Sequence, residues 1–312
     1  MTDAVLLLSG QGSQYPSMAR DLFRSDERFR AHLQHVDVCL RQVAGRSVLP
    51  GLLLAKPPFD DVTVTHLGIF ATQYASAMML IDRGVRPTAV LAISLGEFAA
   101  AVLTGAWSLE HAARVLSIQT RALAVHCDAG GMMAVLAPPE ELEGELTALP
   151  GRPEVALRSR RHFVLAGNRD ALDTATGWLA ERGYGSARMP VTRGFHSRQI
   201  DPAREPFLAA AEGDGSVRLP QIPWFSCALA AERRDHPAPA DLWQAIRAPI
   251  RFLETAAALG ASGKHRCVDV GPGAALTTLM RDNDVPMIDC RPLSTAQGDV
   301  TRQLSRLLAP GR

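Results

Sequence analysis

Apolar and polar positions along the first part of the chain predict strands and helices in turn. Residues 87–93 form a short apolar run that is typical of a buried strand. Residues 67–83, 97–105 and 109–125 carry apolar side chains at helical spacing. Because strands that alternate with helices usually form parallel sheets, this part of the chain is predicted to be α/β.

A second pattern begins near residue 128. A strand is predicted at 132–137, and an acidic helix begins near Pro139. Strands at 155–157, 163–166 and 187–191, with a helix at 170–182, complete the order βαββαβ, which is typical of a ferredoxin-like unit. We therefore expect a small subdomain at residues 129–192, inserted into a large domain formed by residues 1–128 and 193–312. One surface helix is expected after Ala296.

The composition favours a globular protein without a strongly charged or lipid partner. The 312 residues are 47% hydrophobic, and 33 Lys and Arg balance 32 Asp and Glu, so the net charge favours neither nucleic acid nor membrane. No uninterrupted apolar run reaches the roughly 18 residues of a spanning helix, and no signal peptide is recognisable. The five cysteines lack C-x-x-C spacing, which argues against a disulfide framework or a zinc site. We expect a cytoplasmic protein with reduced thiols and no metal.

Ser94 has the clearest chemical context in the sequence. It lies in Ala-Ile-Ser-Leu-Gly-Glu at 92–97, between a predicted strand and a predicted helix. This context is typical of a nucleophile elbow, in which a sharp turn exposes the serine oxygen and the next backbone N–H can donate to an oxyanion. A serine at an ordinary helix N-terminus matches the same short pattern, so this motif alone leaves both interpretations open.

A glycine-rich segment and several later motifs favour a nucleophile elbow at Ser94 over an ordinary helix N-terminus. Gly-Gln-Gly-Ser-Gln at 10–14 follows a short apolar strand, and such a loop lets backbone N–H groups approach a ligand closely. The later motifs are Ala-Thr-Gln-Tyr-Ala at 71–75, Gly-Gly-Met-Met-Ala-Val at 130–135, Phe-His-Ser at 195–197, Ala-Pro-Ile-Arg-Phe at 248–252 and Val-Gly-Pro-Gly at 270–273. Together and in this order, they resemble the malonyl-CoA:acyl carrier protein transacylase family, which includes the acyltransferase domains of polyketide and fatty acid synthases.

The resemblance implies a fold and a reaction. The fold is an α/β-hydrolase-like large domain with a parallel sheet, plus a ferredoxin-like subdomain inserted between the nucleophile and the catalytic histidine. Ser94 would be the nucleophile and His196 its base, since a serine hydroxyl is a poor nucleophile until a base takes its proton. A backbone carbonyl would orient the histidine, and the backbone N–H groups of Gln11 and Leu95 would form the oxyanion hole. The acyl group would be carried on CoA or 4'-phosphopantetheine, so no tightly bound cofactor is expected.

Two positions depart from the family pattern in ways that bear on the substrate. Family members that use malonyl carry an arginine 25 residues after the serine, where it pairs with the free carboxylate. Gln119 has this position here; it can form hydrogen bonds but cannot neutralise a carboxylate, so we expect poor malonyl binding. A shifted alignment would put Arg121 there instead and restore a malonyl-specific transacylase. Ile93 replaces the histidine that usually precedes the serine, which makes the acyl pocket more apolar.

Three arginines precede the predicted strand at 163–166. A solvated loop explains at least two of them, but Arg160 and Arg161 could also form a basic rim that receives the acidic surface of a carrier protein. Arg158 could enter the pocket and supply the missing positive charge. Phe195 and Gln73 are expected to belong to the substrate site as well.

Three functions of different classes fit these residues. The first is a stand-alone, trans-acting transferase of polyketide-type biosynthesis, which moves a non-malonyl acyl group to the phosphopantetheine thiol of an acyl carrier protein. The second is an editing hydrolase of the same fold that clears acyl groups from carrier proteins. The third is a catalytically silent docking protein, which would not need the serine, the histidine and the oxyanion loop. We expect the transferase, as a monomer that binds neither nucleic acid nor membrane.

Overall fold

The computed structural model describes residues 2–212, 216–296 and 303–306. Its larger sheet has six strands in the order β10-β9-β1-β2-β7-β8, all parallel except for β8. A smaller antiparallel sheet has the order β4-β5-β3-β6. The strands are β1 (Thr2–Leu8), β2 (Val85–Ala92), β3 (Gly130–Val135), β4 (Glu154–Arg158), β5 (Phe163–Asn168), β6 (Ser186–Arg188), β7 (Trp224–Ser226), β8 (Ala231–Arg233), β9 (Arg266–Asp269) and β10 (Asp289–Pro292).

Side-chain caps fix where several of the helices begin. The side chains of Asp26, Asp61, Ser108 and Asn168 each accept the backbone N–H three residues on, and so satisfy a donor that has no partner inside the helix. The helices are α1 (Arg20–Ser25), α2 (Glu27–Ala44), α3 (Leu49–Leu54), α4 (Val62–Asp82), α5 (Gly96–Leu103), α6 (Leu109–His126), α7 (Pro139–Thr147), α8 (Arg169–Glu181), α9 (Arg204–Ala211), α10 (Pro239–Arg247), α11 (Phe252–Ala261) and α12 (Ala275–Asp282), with a 3₁₀ helix at Arg198–Ala203.

Helix α4 is the central helix of the large domain and packs on α2, α5 and α6. Within the described residues, it is the one helix long and apolar enough to span a membrane, but 78% of that apolar window is buried inside the protein. A helix that is apolar on all sides and enclosed in this way is a core helix. Helix α4 contains no uninterrupted apolar run of spanning length, because Thr65, His66 and Gln73 lie within it, and all three are buried.

The register of the larger sheet brings three loops to one edge. Leu8 pairs with Ala92, so the loop at residues 9–14 and the turn at 93–95 leave the sheet together. Strand β9 pairs with the other side of β1 and adds residues 270–274 to the same edge. Ligands of open parallel sheets bind at the carboxyl ends of the strands, which is this edge.

The smaller sheet has two different faces, because alternate residues of a strand point to opposite sides. Met133 and Leu165 pack with α7 and α8 in a separate hydrophobic cluster. Met132 and Val164, one position away on the same strands, belong to the core of the large domain. One face of this sheet therefore holds the subdomain together, and the other face points to the large domain.

The predicted fold class is confirmed. The order β3-α7-β4-β5-α8-β6 is the predicted βαββαβ, and it lies between Ser94 and His196 in the chain. This sheet falls inside residues 129–192, although the division of the chain into 1–128, 129–192 and 193–312 stays a prediction. The last strand is shorter than the predicted 187–191; Pro190, which has no backbone N–H, lies beyond its end. Of the surface helix expected after Ala296, only residues 303–306 are described and helical; the rest falls outside the described residues.

Candidate active site

Ser94 lies at a sharp turn between β2 and α5. Its backbone φ is 54°, in the left-handed region that non-glycine residues rarely adopt. Gly96 makes the turn possible, because a Cβ there would lie 2.2 Å from the carbonyl oxygen of Leu8. Gly10 approaches from the other loop, where a Cβ would lie 2.8 Å from that of Ser94. The turn has the geometry expected of a nucleophile elbow.

His196 follows the small subdomain in the sequence, whereas Ser94 precedes it, and the fold brings their side chains together. Its Nε2 lies 2.9 Å from the Ser94 Oγ, and its Nδ1 lies 2.6 Å from the backbone oxygen of Ala248. Since a carbonyl can only accept, Nδ1 carries the hydrogen and Nε2 is left to accept the serine proton. The backbone of His196 is also left-handed, with φ 61°, and its N–H donates to the oxygen of Ile246.

The environment of His196 keeps its ring neutral. Burial lowers the pKa of His196 to about 4, the hydrogen bond from the ring to Ala248 opposes this, and the Arg247 guanidinium lowers the pKa further. At neutral pH the imidazole is therefore uncharged and its Nε2 lone pair is available. This is the protonation state that a general base requires.

The two predicted oxyanion donors lie in the loops that meet at the sheet edge. Gln11 lines the cavity beside Ser94, and Leu95 is the N-cap of α5. Neither backbone N–H donates to a backbone carbonyl within the described residues. The Gln11 side chain turns away, since its Nε2 donates to the Thr65 hydroxyl at 2.9 Å. The two N–H groups are thus free to bind a developing negative charge.

A cavity of about 470 Å³ opens beside Ser94 and His196. Its walls come from both domains and are mostly apolar. They include Ile93 and Phe195, Ile250, the subdomain side chains Met132, Leu157, Val164 and Met189, and residues 272–276, 278 and 279. Besides His196, His162 is the one ionisable side chain among the described lining residues, and burial lowers its pKa. The lining therefore carries no fixed positive charge.

Three of the predicted substrate residues, Gln73, Arg158 and Gln119, do not line this cavity. Gln73 is buried and its Nε2 donates to the backbone oxygen of Ser9, so it supports the loop from behind. Arg158 is outside the cavity, in an ion pair with Glu143. The structure does not bring Arg158 into the cavity, since strand β4 ends with its side chain exposed to solvent.

Gln119 is fully buried in α6, and neither polar atom of its side chain has a partner among the described residues. A buried amide without hydrogen bonds is unfavourable by roughly 1–3 kcal/mol. Arg121, two residues further along α6, is exposed, so a shifted alignment is not supported by its position. Gln119 does not line the cavity beside Ser94, and its predicted contact with the acyl group stays a prediction.

The two arginines of the predicted basic rim differ in their contacts. The Arg160 backbone N–H donates to Asn283 at 2.8 Å, and its guanidinium pairs with Asp284 at the end of α12. Arg161 is exposed and forms no ion pair with a described residue. Arg160 therefore joins the subdomain to the large domain, whereas Arg161 is free to meet another molecule.

Sequence analysis missed His66, which lies next to Phe195. The two rings are 5.1 Å apart between centroids, and neither ring nitrogen of His66 has a partner among the described residues. Burial lowers the pKa of His66 to about 3, so it is neutral. A histidine inside an otherwise apolar helix run is the signal that could have identified it.

Two buried carboxyl groups that the motifs did not identify hold the site loops. Asp269, at the end of β9, accepts the backbone N–H groups of Gly271, Leu276 and Thr277, and so fixes the loop that forms one cavity wall. Glu97 follows the elbow and accepts the hydroxyl of Ser226 on β7 at 2.6 Å. Burial raises the pKa of each carboxyl to about 7.

Known proteins resemble this chain over most of its length. A profile of the family described as "Acyl transferase domain" matches residues 5–308. The polyketide biosynthesis protein ThaF of Burkholderia thailandensis is 37% identical over 96% of this chain, which spans only 26% of ThaF. The polyketide biosynthesis acyltransferase homolog BaeD of Bacillus velezensis is 33% identical, over 89% of this chain and 86% of BaeD.

A solved acyltransferase structure also resembles this chain. A loading acyltransferase from the avermectin modular polyketide synthase superposes with a TM-score of 0.88 at 26% identity, over 97% of this chain and 98% of that one. The fold of this chain thus corresponds to that of an acyltransferase domain. By its sequence and by its fold, this chain belongs to the acyl transferase domain family, which confirms the acyltransferase predicted from its motifs.

Proposed function

We propose that this chain transfers acyl groups through a covalent intermediate on Ser94. The observation that carries the proposal is the contact of 2.9 Å between the Ser94 Oγ and the His196 Nε2. As Oγ bonds to the thioester carbonyl carbon, Nε2 takes the hydroxyl proton. The C–S bond then breaks, and the proton passes from Nε2 to the leaving sulfur. Ser94 is left as an acyl ester and His196 is neutral again.

The second half of the reaction reverses these roles. An incoming thiol gives its proton to Nε2 of His196 and bonds to the acyl carbon, after which the ester C–O bond breaks and Ser94 regains the proton. His196 is an imidazolium during both halves. The Ala248 carbonyl, which accepts from Nδ1, stabilises that charge in place of a carboxylate.

The backbone N–H groups of Gln11 and Leu95 are proposed to bind the oxyanion of each tetrahedral intermediate. Their position at the edge where β1 and β2 end supports this role. A donor of this kind is worth roughly 3 kcal/mol in the transition state. The small residue Gly10 keeps the two loops close enough for both donors to act on one oxygen.

The acyl group is proposed to be neutral rather than a dicarboxylate. The described cavity lining has no arginine or lysine, Gln119 is an amide, and Arg158 is paired with Glu143 outside the cavity. A malonyl carboxylate would therefore enter an apolar space without a cation, which is strongly unfavourable. The apolar lining, including Ile93, favours an acyl chain that has no charge.

The names of the relatives support a role in polyketide biosynthesis, in which CoA or the phosphopantetheine of an acyl carrier protein presents the acyl group. Arg161, exposed and unpaired within the described residues, is a candidate contact for an acidic carrier surface. The same proposal places the protein in the cytoplasm as a monomer that acts on separate carrier proteins.

Intact-protein mass spectrometry tests the proposal directly. The protein is incubated with malonyl-CoA, acetyl-CoA and longer neutral acyl-CoAs, and an acyl carrier protein is then added. We expect a stable adduct from a neutral acyl group, which moves to the carrier thiol. Ser94→Ala should show no adduct. Ser25→Ala, which changes an exposed serine at the end of α1, is the matched control and should behave as wild type.

Other results would lead to a different function. Release of free acid without a persistent adduct would identify an editing hydrolase. A malonyl adduct stronger than every neutral one would make the protein a malonyl transacylase. An adduct that survives in Ser94→Ala would remove Ser94 from the reaction.

A further inference from the structure

Three metal-ligating side chains meet on the outside of the large domain. His35 and Cys39 lie one turn apart on α2, and Glu110 lies in the first turn of α6. One donor atom of each lies within 4.8 Å of the donor atoms of the other two. None of the three lines the cavity beside Ser94, so this cluster is separate from the proposed acyl transfer.

These side chains have no other partners in the part of the chain that the structure describes. His35 and Glu110 are exposed, and neither forms a side-chain hydrogen bond or ion pair there. The nearest basic side chain on the same face of α6, Arg114, donates to the backbone oxygen of Ala211 instead. Cys39 is buried at the base of the cluster. The donors are thus free to bind an ion from solvent.

Ion binding would change the protonation of the cluster, since a coordinated thiol loses its proton. That proton goes to solvent when the ion binds.

We propose that His35, Cys39 and Glu110 bind a divalent cation of the zinc class, with water as the fourth ligand. Imidazole nitrogen, thiolate and carboxylate together are a donor set for Zn²⁺ or Co²⁺, whereas Mg²⁺ and Ca²⁺ prefer oxygen alone. Bond lengths of about 2.0–2.3 Å place tetrahedral donors roughly 3.5 Å apart. Rotation of the exposed His35 and Glu110 side chains would bring the donor atoms, now within 4.8 Å of one another, to this spacing.

The ion would join two helices that already pack together. Helices α2 and α6 contact each other, and the ligands come from the middle of α2 and the first turn of α6. Because Glu110 lies 71 residues after Cys39 and 75 after His35, no local cysteine spacing indicates the site. The bound ion would act as a structural cross-link that raises the unfolding temperature.

Cobalt absorption spectroscopy tests the site in the full chain. The protein is stripped with a chelator, freed of the chelator and titrated with Co²⁺, which gives a thiolate-to-metal charge-transfer band when a cysteine coordinates it. We expect the band in wild type, and its displacement by Zn²⁺. Cys39→Ser should lack it. His35→Ala and Glu110→Gln should weaken Co²⁺ binding by at least roughly tenfold, since even outer-shell partners of a metal are worth that much.

Cys290→Ser is the matched control, because Cys290 is a partly exposed thiol outside the cluster; this variant should keep the band. The site would be rejected if wild type showed no band, if Cys39→Ser kept it, or if Cys290→Ser removed it. Unfolding temperature is a second measurement: Zn²⁺ should raise it in wild type and not in Glu110→Gln, whose exposed substitution leaves the fold intact. An equal rise in both would also reject the site.

Discussion

The Nδ1 of His196 donates to the backbone oxygen of Ala248 over 2.6 Å, although 52 residues separate them. The residue that would orient the base in a Ser-His-Asp triad is thus replaced by the main chain. A carbonyl cannot be removed by a side-chain substitution, and it carries no full charge to raise the pKa of the ring. The low pKa of His196 follows from its burial beside a neutral partner.

The pH dependence of acylation should report this low pKa. We expect the rate constant for adduct formation on Ser94 to be constant from neutral pH downwards and to fall only as the pH approaches about 4, where His196 becomes protonated. Quenched-flow sampling with mass spectrometry, after brief exposure to each pH, measures this rate constant. A midpoint near 6.5, the value of an exposed histidine, would contradict the assignment of His196 as a buried base.

Two buried histidines that are neutral in the folded protein should each make its stability decrease in acid. The pKa values of His66 and His196 lie near 3 and 4 when folded and near 6.5 when unfolded. At these two groups the unfolded chain binds more protons below 6.5, so the stability that each contributes, fully present above that pH, decreases by up to about 1.4 kcal/mol per pH unit. Glu97 and Asp269, whose pKa values are about 7 when folded, contribute in the opposite sense over the same range. Denaturant unfolding between neutral pH and about 4 measures the slope.

His66→Leu is the variant that tests this slope. Relative to wild type, it should make the change of stability with falling pH less unfavourable by up to about 1.4 kcal/mol per pH unit. If the slope equalled that of wild type, His66 would not be a source of acid sensitivity.

Gly96→Ala should destabilise the protein by about 3 kcal/mol or more, because the new Cβ would lie 2.2 Å from the Leu8 oxygen and force β1 and α5 apart. The matched control is Gly177→Ala in α8, where a Cβ meets no atom within 4 Å; alanine there should be neutral or stabilise by up to about 1 kcal/mol. Free energies of unfolding from urea titration compare the two. A small effect at Gly96 would mean that the elbow and β1 can move apart.

Although Gln119 does not line the cavity, the resemblance places the carboxylate-binding arginine of malonyl-using members at this position. Gln119→Arg should therefore raise capture of malonyl relative to acetyl by about tenfold or more, since a guanidinium–carboxylate hydrogen bond is worth roughly 1.5–3 kcal/mol. Competition between malonyl-CoA and acetyl-CoA for the Ser94 adduct gives the ratio. Arg158→Gln is the matched control and should not change it, because Arg158 pairs with Glu143 outside the cavity. A loss of malonyl capture in Arg158→Gln would instead place that arginine in the substrate site.

Sequence patterns predict the strands and helices around Ser94 well because each has a strong local cause. The apolar run before Ser94 becomes β2, and the alternating pattern from Pro139 onwards becomes α7, β4, β5 and α8. Motif order also predicts that Ser94 and His196 belong to one site. The distance between them depends on the return of the chain after the small subdomain, which no local pattern encodes.

The surroundings of Arg158, His66 and Asp269 depend on tertiary contacts. Arg158 stands at the end of a strand, and only the position of Glu143 on α7 shows which way its side chain turns. His66 is indistinguishable from an ordinary polar interruption of a helix until Phe195 is seen beside it. Asp269 has no motif of its own, since the groups that donate to its carboxylate are backbone N–H groups up to eight residues away.

Only one of the two faces of the small sheet borders the cavity, which bears on how selectivity for the acyl chain can change. Met132 and Val164 border the cavity, whereas their neighbours Met133 and Leu165 hold α7 and α8. Substitutions on the first pair reshape the space for an acyl chain without loosening the subdomain, and both residues lie outside the strands and turns that carry Ser94 and His196. Under the proposed function, the length of acyl chain that the cavity accepts can therefore change through substitutions on one sheet face while Ser94 and His196 stay unchanged.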